Sequence, residues 1–409
     1  MPSDVSAIRR QFPILSQKIG GNSLIYLDNA ATMQKPAAVL AAMDAFYVTS
    51  NANVHRGMHA LAEAATDAYE GARVSVQQFL NAKHADEIIF TKSTTEAINL
   101  VVISLSRGNT FAKGDRVILS VLEHHSNIVP WLQLQERKGI EILWLECDDA
   151  GHLNMDQLKS FLKSGRVKML SMTGLSNVLG TRPALAEMIA LAHEADALVL
   201  VDAAQLAAHE VIDVQKLDCD FLTFSAHKIY GPTGIGVLYG KRNILKDMPP
   251  FLGGGMMIGE VTTDHFTPAD PPQRFEAGTP PIAEAVGLHA AIDWMSKLKR
   301  TEWEAHERDV MNHAIKSLSG ISGLHFLSTE SHPTGCTSFI IDGIHPHDLT
   351  DLLGKQGICL RAGHHCTQPL HRRFGVTAST RLSVALYNTK EEIDATIEAI
   401  KLIQKKFHA

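Results

Sequence analysis

Cysteine is scarce in this sequence, and no two cysteines are closely paired. The five are Cys147, Cys219, Cys336, Cys359 and Cys366, an odd number without any Cys-x-x-Cys spacing. This pattern argues against a disulfide framework and against an all-cysteine zinc site. In a reducing compartment the question is therefore which single thiol reacts.

The sequence also lacks a basic excess and a long apolar run. The formal net charge of -6 disfavours a nucleic-acid binder, which usually needs a basic face. No segment approaches the roughly 18 uninterrupted apolar residues of a membrane span, and residues 1–20 lack the apolar stretch of a secretory signal. We expect a cytoplasmic protein with no nucleic-acid and no membrane partner, whose 409 residues form two globular domains.

Short apolar runs alternate with longer helical patterns between residues 24 and 239. The runs are predominantly apolar, with at most one polar or charged residue in each, which is typical of strands that are buried on both faces of a parallel sheet. The pattern predicts an α/β fold with a mainly parallel, seven-stranded sheet. Its expected strands are residues 87–90, 116–119, 142–145, 167–170, 198–201, 221–224 and 235–239.

Polar residues follow several of these strands at the point where each strand ends. They are residues 91–95, 123–127 and 225–228, together with Asn177 and Asp202. In open α/β sheets, ligands bind beyond the carboxyl ends of the strands. The sequence therefore predicts one pocket that collects these residues.

The alternation of short apolar runs with helical patterns ends at residue 239. Three consecutive glycines at 253–255 and a proline-rich stretch that ends at Pro272 indicate a long loop and not a core element. Further patterns follow: helices at 284–298 and 302–318, a strand at 336–341 and a final helix at 391–405. We interpret residues 21–283 as a large domain and 284–409 as a smaller α+β domain, with 1–20 packing against the small domain.

Lys228 is a candidate for the attachment of an aldehyde cofactor, because it directly follows a buried strand. A lysine that is desolvated in a pocket loses pKa and becomes a usable amine nucleophile for a Schiff base. Asp202 ends the preceding strand, and a buried carboxylate would keep a pyridine nitrogen protonated, while Gln205 would donate to a phenolic oxygen. The alternatives are a solvated surface lysine and a helix-capping aspartate.

The turn at residues 93–96 is a candidate phosphate site. Its backbone N–H groups, around Thr94 and Thr95, open a helix whose dipole attracts an anion. Ser225 and His227 would complete the cradle. The same Ser-Thr-Thr-Glu stretch also forms a capping pattern that needs no ligand.

His124 and His125 follow the strand at 116–119. One of these imidazoles would lie flat on a cofactor ring and shuttle a proton. Paired histidines also suggest a metal, but no third ligand stands at a recognisable spacing. We therefore predict no metal site within the chain itself.

Cys366 is the one cysteine surrounded by cationic side chains, in the segment Arg361-Ala-Gly-His-His-Cys366. Neighbouring positive charge lowers the pKa of a thiol and raises its thiolate fraction. The other four cysteines stand in or beside apolar strand patterns, where a cysteine usually acts as a small core residue. Cys366 is therefore the candidate nucleophile.

Four motifs in combination resemble the SufS-type (group II) cysteine desulfurases, which are pyridoxal-phosphate enzymes of fold type I in the class V aminotransferase family. They are Asp202-Ala-Ala-Gln205, Ser-Ala-His-Lys-Ile-Tyr-Gly-Pro-Thr-Gly at 225–234, Glu-Ala-Gly-Thr-Pro at 276–280 and Arg-Ala-Gly-His-His-Cys at 361–366. The similarity runs from Tyr-Leu-Asp-Asn-Ala-Ala at 26–31 to Tyr-Asn-Thr at 387–389. The short loop around Cys366 is typical of group II.

This resemblance implies a role for each matching residue. Lys228 would carry pyridoxal 5'-phosphate, and Cys366 would take sulfur from L-cysteine as a persulfide, leaving L-alanine. Thr279 would reach the cofactor phosphate of a second subunit, which implies a homodimer. The remaining implied contacts are Asp202 to the ring nitrogen, Gln205 and Asn177 to the phenolic oxygen, His124 stacked on the ring, Thr94, Thr95, Ser225 and His227 to the phosphate, and Arg361, Arg381 and Asn177 to the substrate.

The sulfur acceptor is suggested by the segment His345-Pro-His347-Asp348. It resembles the segment of desulfurases that pass sulfur to a zinc-bearing SufU-type protein, where the residue matching His347 is a transient ligand of the partner's zinc. The resemblance implies that the sulfur is used for iron–sulfur cluster assembly by the SUF system. The alternatives are a SufE-type acceptor and a surface loop with incidental histidines.

Three other functions remain open at this point. A selenocysteine lyase would share the cofactor site but need not depend on Cys366. An ordinary class V transaminase has no use for an activated thiol. A non-catalytic sulfur-carrier scaffold would have no reason to keep both Lys228 and Asp202.

Overall fold

The computed structural model describes residues 5–330 and 333–407. Its helices are α1 Val5–Arg9, α2 Ala37–Thr49, α3 Ala60–Phe79, α4 Thr94–Arg107, α5 Val129–Lys138, α6 Met155–Lys163, α7 Leu185–Glu194, α8 Leu206–His209, α9 Val214–Leu217, α10 Arg242–Asp247, α11 Ile282–Ser296, α12 Arg300–Leu318, α13 Pro346–Gly354, α14 Gln368–Arg373 and α15 Lys390–Phe407. Its strands are β1 Lys18–Ile19, β2 Asn22–Ser23, β3 Ile25–Tyr26, β4 Ile88–Thr91, β5 Arg116–Ser120, β6 Glu141–Leu145, β7 Val167–Thr173, β8 Leu198–Asp202, β9 Phe221–Ser225, β10 Gly236–Gly240, β11 Ile258–Val261, β12 Phe266–Pro268, β13 Leu324–Phe326, β14 Cys336–Ile341, β15 Ile358–Cys359, β16 Arg361–Gly363 and β17 Ser379–Ser383.

A seven-stranded sheet in the order β4-β10-β9-β8-β7-β5-β6 forms the centre of the fold. Its strands are parallel except for β10, which is antiparallel to both of its neighbours. Helices cover both faces of such a sheet, and every residue of β4, β9 and β10 is accordingly buried. The α/β class and the seven predicted strands are confirmed.

The carboxyl ends of β5, β7, β8 and β9 lie along one edge of this sheet, because these four strands are parallel and adjacent. The chain leaves β8 at Asp202 and leaves β9 at Ser225, directly before Lys228. The helix α4 begins at Thr94, three residues after β4 ends. The fold thus gathers the predicted polar residues at a single edge.

The C-terminal part of the chain forms a second, antiparallel sheet in the order β13-β14-β17-β16. The predicted strand at 336–341 matches β14, and the predicted helices match α11, α12 and α15 within about two residues at each end. In the register of β16 and β17, Arg361 stands directly opposite Arg381. The division at residues 283 and 284 remains a prediction.

The amino-terminal segment packs against both parts of the chain. The Phe12 ring is 4.7 Å from the ring of Tyr387, measured between centroids, and 5.4 Å from that of Trp294. Phe12 is also within 6.0 Å of Tyr230, which lies two residues after Lys228. Residues 1–4 of the predicted N-terminal segment lie outside the described residues.

The segment between the triple glycine and Pro272 is not structureless. The strands β11 and β12 form a two-stranded antiparallel hairpin, and Val261 and Phe266 on it are exposed. These two strands were not predicted, because the glycines and prolines on either side of them are typical of a loop. Within the part of the chain that the structure covers, no helix is long and apolar enough to cross a membrane.

Candidate active site

A cavity of about 300 Å³ opens at the carboxyl edge of the central sheet. It is lined by residues from both sheets, including most of the residues predicted from the sequence. These are Thr94, Thr95, His124, Asn177, Asp202, Gln205, Ser225, His227, Lys228, Arg361, Arg381 and Cys366. The predicted site residue outside this lining is Thr279.

Lys228 lies at the floor of the cavity, on the turn that leaves β9. Burial lowers the pKa of its amine to about 8, because an ammonium group loses its water there, while the charge of Asp202 opposes the shift. The turn continues through Tyr230, a buried non-glycine residue with φ of +66°. The fixed turn and the lowered pKa give Lys228 the properties of an amine nucleophile.

Asp202 is fully buried at the end of β8, and burial raises the pKa of its carboxyl group. The Ala204 N–H donates to it over 2.9 Å, and this bond and the charge of Lys228 act in the opposite direction. A buried carboxylate is stabilised by a cationic donor facing it. The protonated ring nitrogen of a pyridine cofactor is such a donor, so Asp202 fits the predicted cofactor.

The amino end of α4 also lines the cavity, through Thr94 and Thr95. Ser93 caps the helix by accepting the Glu96 N–H, and Thr94 N–H donates to the Ser225 hydroxyl over 2.8 Å. The hydroxyls of Thr95 and Ser126 lie 2.7 Å apart. A helix amino end with surrounding hydroxyl groups favours an anion, so this end fits a phosphate group.

His124 and His227 line the cavity as neutral imidazoles. Burial and the charge of Lys228 lower the pKa of His124 to about 3 and that of His227 to about 4. The Nδ1 of His124 accepts the Ser126 N–H over 3.1 Å, which leaves the proton of the neutral ring on Nε2. A neutral ring suits the predicted stacking on a cofactor.

Asn177 and Gln205 direct their amide groups toward neighbouring loops. The Asn177 Nδ2 donates to the carbonyl oxygen of His365 over 2.9 Å, and the Gln205 Nε2 donates to that of Ala30 over 2.7 Å. Both residues also line the cavity. Their predicted contact with a phenolic oxygen remains a prediction.

Cys366 is exposed at the mouth of the cavity, on a short loop that is bound to the central sheet region. Its carbonyl oxygen accepts the His125 N–H over 2.7 Å, and its own N–H donates to the Nδ1 of His364 over 3.3 Å. His365 and Cys366 both have a left-handed backbone, with φ of +49° and +58°. Such a conformation is rare outside glycine and is held here by the surrounding bonds.

The other four cysteines differ from Cys366 in their surroundings. Burial raises the pKa of each of their thiols, to about 11 for Cys147 and Cys336 and to about 12 for Cys219. A thiol with a raised pKa forms little thiolate near neutral pH. The prediction that these four cysteines are unreactive core residues is supported by the burial of Cys147, Cys219 and Cys336 and by the partial burial of Cys359.

Arg381 and Arg361 form the side of the cavity nearest to Cys366. Arg381 is almost fully buried, and its Nη1 donates to the Asn177 carbonyl over 3.0 Å. Both guanidinium groups pair with Asp28, which the sequence motif at 26–31 contained without an assigned role. Because Asp28 is 333 and 353 residues from its partners, no local pattern could have revealed this pair.

Thr279 is exposed in a loop outside the cavity. The loop is anchored by Glu276, whose carboxylate accepts bonds from Tyr69, from Arg73 and from the N–H of Phe90. Thr279 lines a different depression, together with Glu276. It therefore does not reach the cavity of its own chain.

Two further groups near the cavity were not assigned a role from the sequence. Glu123 lies directly before His124, and burial raises the pKa of its carboxyl group to about 8. Lys35 donates to the carbonyl oxygen of His227 over 3.3 Å, and partial burial lowers the pKa of its amine to about 8. Glu123 was predicted for the pocket only as part of the polar segment 123–127, and Lys35 belongs to no pattern that marks chemistry in a sequence.

In residues 5–330 and 333–407, no group of three or more histidine, cysteine, aspartate or glutamate side chains is placed to hold a metal ion. His347 lies elsewhere, exposed in the first turn of α13.

Comparison with known proteins finds similarity along nearly the whole chain. The model of the class-V aminotransferase family matches residues 25–396. The chain is 44% identical to a probable cysteine desulfurase of Streptomyces coelicolor, over 99% of this chain and 98% of that protein. It is 45% identical to a probable cysteine desulfurase of Synechocystis sp., over 98% of this chain and 96% of that protein. The crystal structure of the cysteine desulfurase CsdA from Escherichia coli superposes with a TM-score of 0.91 at 40% identity, covering 98% of this chain and 99% of that one.

Proposed function

The chain belongs to the class-V aminotransferase family, with fold type I, and it is a pyridoxal-phosphate-dependent cysteine desulfurase; on this premise we propose the role of each residue in its cavity. Lys228 carries the cofactor, and Asp202 faces its ring nitrogen. Thr94, Thr95, Ser225 and His227 hold the phosphate at the amino end of α4, Gln205 and Asn177 face the phenolic oxygen, and His124 stacks on the ring.

Pyridoxal phosphate, when bound, draws electrons from the α-carbon of an attached amino acid into its ring. The Nζ of Lys228, freed when the amino group of L-cysteine takes its place, would remove the α-proton of the substrate, which its lowered pKa allows near neutral pH. Arg381, together with Arg361 and Asn177, holds the α-carboxylate of the substrate. The Sγ thiolate of Cys366 attacks the substrate sulfur, and the bond between that sulfur and the β-carbon breaks with its electron pair remaining on the carbon side. Protonation of the β-carbon, and of the α-carbon from the Nζ of Lys228, completes L-alanine, and the sulfur stays on Cys366 as a persulfide.

One observation supports this proposal most strongly. Lys228 and Cys366 come from sequence segments that are far apart, yet both line the same cavity with Asp202 and the two arginines. An amine and a thiol must approach one substrate from this cavity for the reaction to occur. After incubation with L-cysteine, we expect the mass of one added sulfur atom on the peptide that contains Cys366.

We further propose that this enzyme is of group II, that it acts in the cytoplasm and that its sulfur serves iron–sulfur cluster assembly. The short anchored loop of Cys366, between β16 and α14, supports the subgroup. Cell fractionation tests the location. If the sulfur serves cluster assembly, deletion of the gene should lower the activity of enzymes that contain iron–sulfur clusters.

We also propose that the protein is a homodimer. The helix α2, the segment after it and the first turn of α3 expose five large apolar side chains: Leu40, Tyr47, Val48, Met58 and Leu61. Together they mark the candidate dimer patch, and a concentration of exposed apolar side chains is unusual on a monomer. The adjoining helix α3 anchors Glu276 of the Thr279 loop, so a second subunit on this patch would also approach Thr279.

If the protein dimerises through this patch, Val48→Glu should weaken self-association by about 100-fold, because a charge would be buried against an apolar surface. Light scattering of the holoenzyme over a range of concentrations gives the mass. The matched control is Leu402→Glu, which places a charge on a similarly exposed apolar residue of α15. A monomeric wild-type protein would contradict the proposal.

We propose a zinc-bearing SufU-type protein as the sulfur acceptor, with His347 as a transient ligand of its zinc. His345 caps α13 by accepting the His347 N–H over 3.3 Å, and the two rings stack with centroids 5.4 Å apart. This cap fixes the exposed His347 at the first turn of the helix. An imidazole held at the surface is available to a partner's metal.

This acceptor proposal predicts that a zinc-loaded SufU-type protein raises alanine formation from L-cysteine, and that His347→Ala removes about nine-tenths or more of the rise. The control is His325→Ala, another exposed histidine, which pairs with Asp342. Stimulation by a SufE-type protein, and not by the SufU-type protein, would show that the proposed type of acceptor is wrong.

A further inference from the structure

Cys366 is an exposed residue between two buried ones. Its neighbours His365 and Thr367 are 7% and 0% exposed. The N–H and the hydroxyl of Thr367 both donate to the carbonyl oxygen of His364, each over 2.8 Å. The loop that carries the thiol is therefore held from its buried side, through the residues before and after Cys366.

The side chain of His365 belongs to a buried network with Ser379 and His371. The Nε2 atoms of the two imidazoles lie 3.1 Å and 3.0 Å from the same atom, the Oγ of Ser379. The Nδ1 of His371 lies 3.0 Å from the carbonyl oxygen of Thr367. Ser379 is the first residue of β17 and is fully buried. This His–Ser–His network thus connects the residue before Cys366 with the residue after it.

The chemistry of the partners determines where the protons of this network lie. Burial lowers the pKa of both imidazoles, to about 2 for His365, so each ring is neutral near pH 7 and carries one proton. A carbonyl oxygen only accepts, so the proton of His371 is on Nδ1 and its Nε2 accepts the Ser379 hydroxyl. The hydroxyl proton is then used, and the Nε2 of His365 donates to the same oxygen. One hydroxyl is therefore donor to one ring and acceptor for the other.

The network supports a backbone conformation that is otherwise unfavourable. His365 and Cys366 both have positive φ, and such residues persist only where their surroundings hold them. Loss of the Ser379 hydroxyl would leave the Nε2 atoms of both rings buried without this partner, which is unfavourable. The rings would then move, and movement of His365 would displace the adjacent Cys366.

Ser379 and His371 can act on the reaction only through this loop. His365 and Cys366 line the cavity, whereas Ser379 and His371 are not part of its lining. The network also belongs to the second sheet, through β17, while the turn of Lys228 follows a strand of the central sheet. A change in the network should therefore affect the thiol and leave the amine in place.

We propose that Ser379 and His371 are positioning residues for sulfur transfer, which hold the loop of Cys366 so that its thiol reaches the substrate sulfur. This inference rests on the proposed function, in which Lys228 removes the α-proton and Cys366 takes the sulfur. It divides the reaction into two parts. Removal of the α-proton is independent of the network, whereas the transfer of sulfur depends on it.

The two parts are measured separately on the holoenzyme. Exchange of the α-hydrogen of L-alanine in D2O, followed by mass spectrometry, reports on Lys228 and needs no thiol. The rate at which sulfur is added to Cys366 after mixing with L-cysteine reports on the transfer. In Ser379→Ala we expect the transfer to slow by about tenfold or more and the exchange to stay within about twofold of the wild type, because a misplacement of about 1 Å can cost up to about 100-fold.

Three variants separate this role from general damage to the sheet. Thr380→Val is the matched control, because Thr380 is the next residue of β17, is also buried, and has a hydroxyl without a hydrogen-bond partner in the described part of the chain. It should change neither rate. Ser379→Thr keeps the hydroxyl and should recover most of the transfer. His371→Asn keeps a donor for the Thr367 carbonyl but has no acceptor in the place of Nε2, so it should slow the transfer as Ser379→Ala does.

Coupling between the two positions distinguishes one network from two separate packing defects. Both changes break the same network, so the double variant Ser379→Ala, His371→Asn should transfer sulfur no more than about twofold more slowly than the slower single variant. Two independent defects would instead multiply their losses, which would contradict the inference.

Transfer at the wild-type rate in either Ser379→Ala or His371→Asn overturns the inference. An equal loss of exchange and transfer, or loss of the cofactor absorbance band, also overturns it, because the network would then only stabilise the fold. The wild type reports on the proposed function itself. If no added sulfur appears on Cys366 there, the role of Cys366 is wrong and both proposals fall. If it does appear and the variants transfer it as fast, only the positioning inference is wrong.

Discussion

Replacement of Lys228 by alanine is expected to lower alanine formation from L-cysteine by about 10⁴-fold, because the same amine holds the cofactor and moves the α-proton. Lys228 is the buried amine at the end of β9 that lines the cavity beside Asp202. Borohydride treatment of the wild-type holoenzyme should fix the cofactor to the peptide that contains Lys228. The variant should release its cofactor on denaturation after the same treatment.

Lys35 provides the matched control for this experiment. Its pKa is also lowered to about 8 by burial, and it lies against the carbonyl oxygen of His227, one residue before Lys228. Lys35→Met should keep the cofactor fixed to position 228. Fixation at Lys35 in the wild type, or an active Lys228→Ala variant, would refute the assignment. A wild-type protein that never gains a visible cofactor band would favour a sulfur-carrier scaffold.

The second large effect is expected for Cys366→Ala. Alanine formation from L-cysteine should fall on the order of 10³-fold or more, since removal of a nucleophile leaves only the remaining site residues to act. The cofactor absorbance should not change, because Cys366 is exposed at the cavity mouth and Lys228 and Asp202 are untouched. Mass spectrometry should find no added sulfur on the variant.

Cys359→Ala is the control for Cys366. Cys359 is half-buried on β15, and burial raises the pKa of its thiol. This variant should keep its activity within a fewfold of the wild type. Full activity of Cys366→Ala toward L-cysteine would refute the sulfur-transfer role. Activity toward L-selenocysteine that survives in Cys366→Ala, at a rate far above that for L-cysteine, would favour the selenocysteine lyase alternative.

Much of the central sheet could be predicted, because each of its strands is recognised from a short apolar run of neighbouring residues. The strand β8 is buried along nearly all of its length, so its residues 198–201 are apolar without interruption, and residues 167–170 of β7 are apolar except for Lys168; both runs can be recognised in the sequence. The hairpin of β11 and β12 was missed because its strands are short and exposed, and its flanking glycines and prolines are typical of loops.

The candidate site could be predicted where its residues stand at strand ends. Asp202 and Ser225 are the last residues of β8 and β9, and the rule that ligands bind at carboxyl ends placed them in a pocket with Lys228. The roles of individual side chains came from the resemblance of the motifs to a family. Asp28, Lys35 and Glu123 were not assigned, because their importance depends on burial and on distant partners.

The sequence by itself determined the class of fold and predicted Lys228 with Asp202 as the cofactor pair and Cys366 as the reactive thiol, since each prediction depends on a residue and its near neighbours. Only the tertiary structure decided that Cys366 lies over the cavity of Lys228, through the bond between its carbonyl oxygen and the His125 N–H. It alone also decided that Asp28 neutralises one of two facing arginines. The physical reason is that charge compensation and desolvation depend on distances in space, which the order of residues along a chain does not contain.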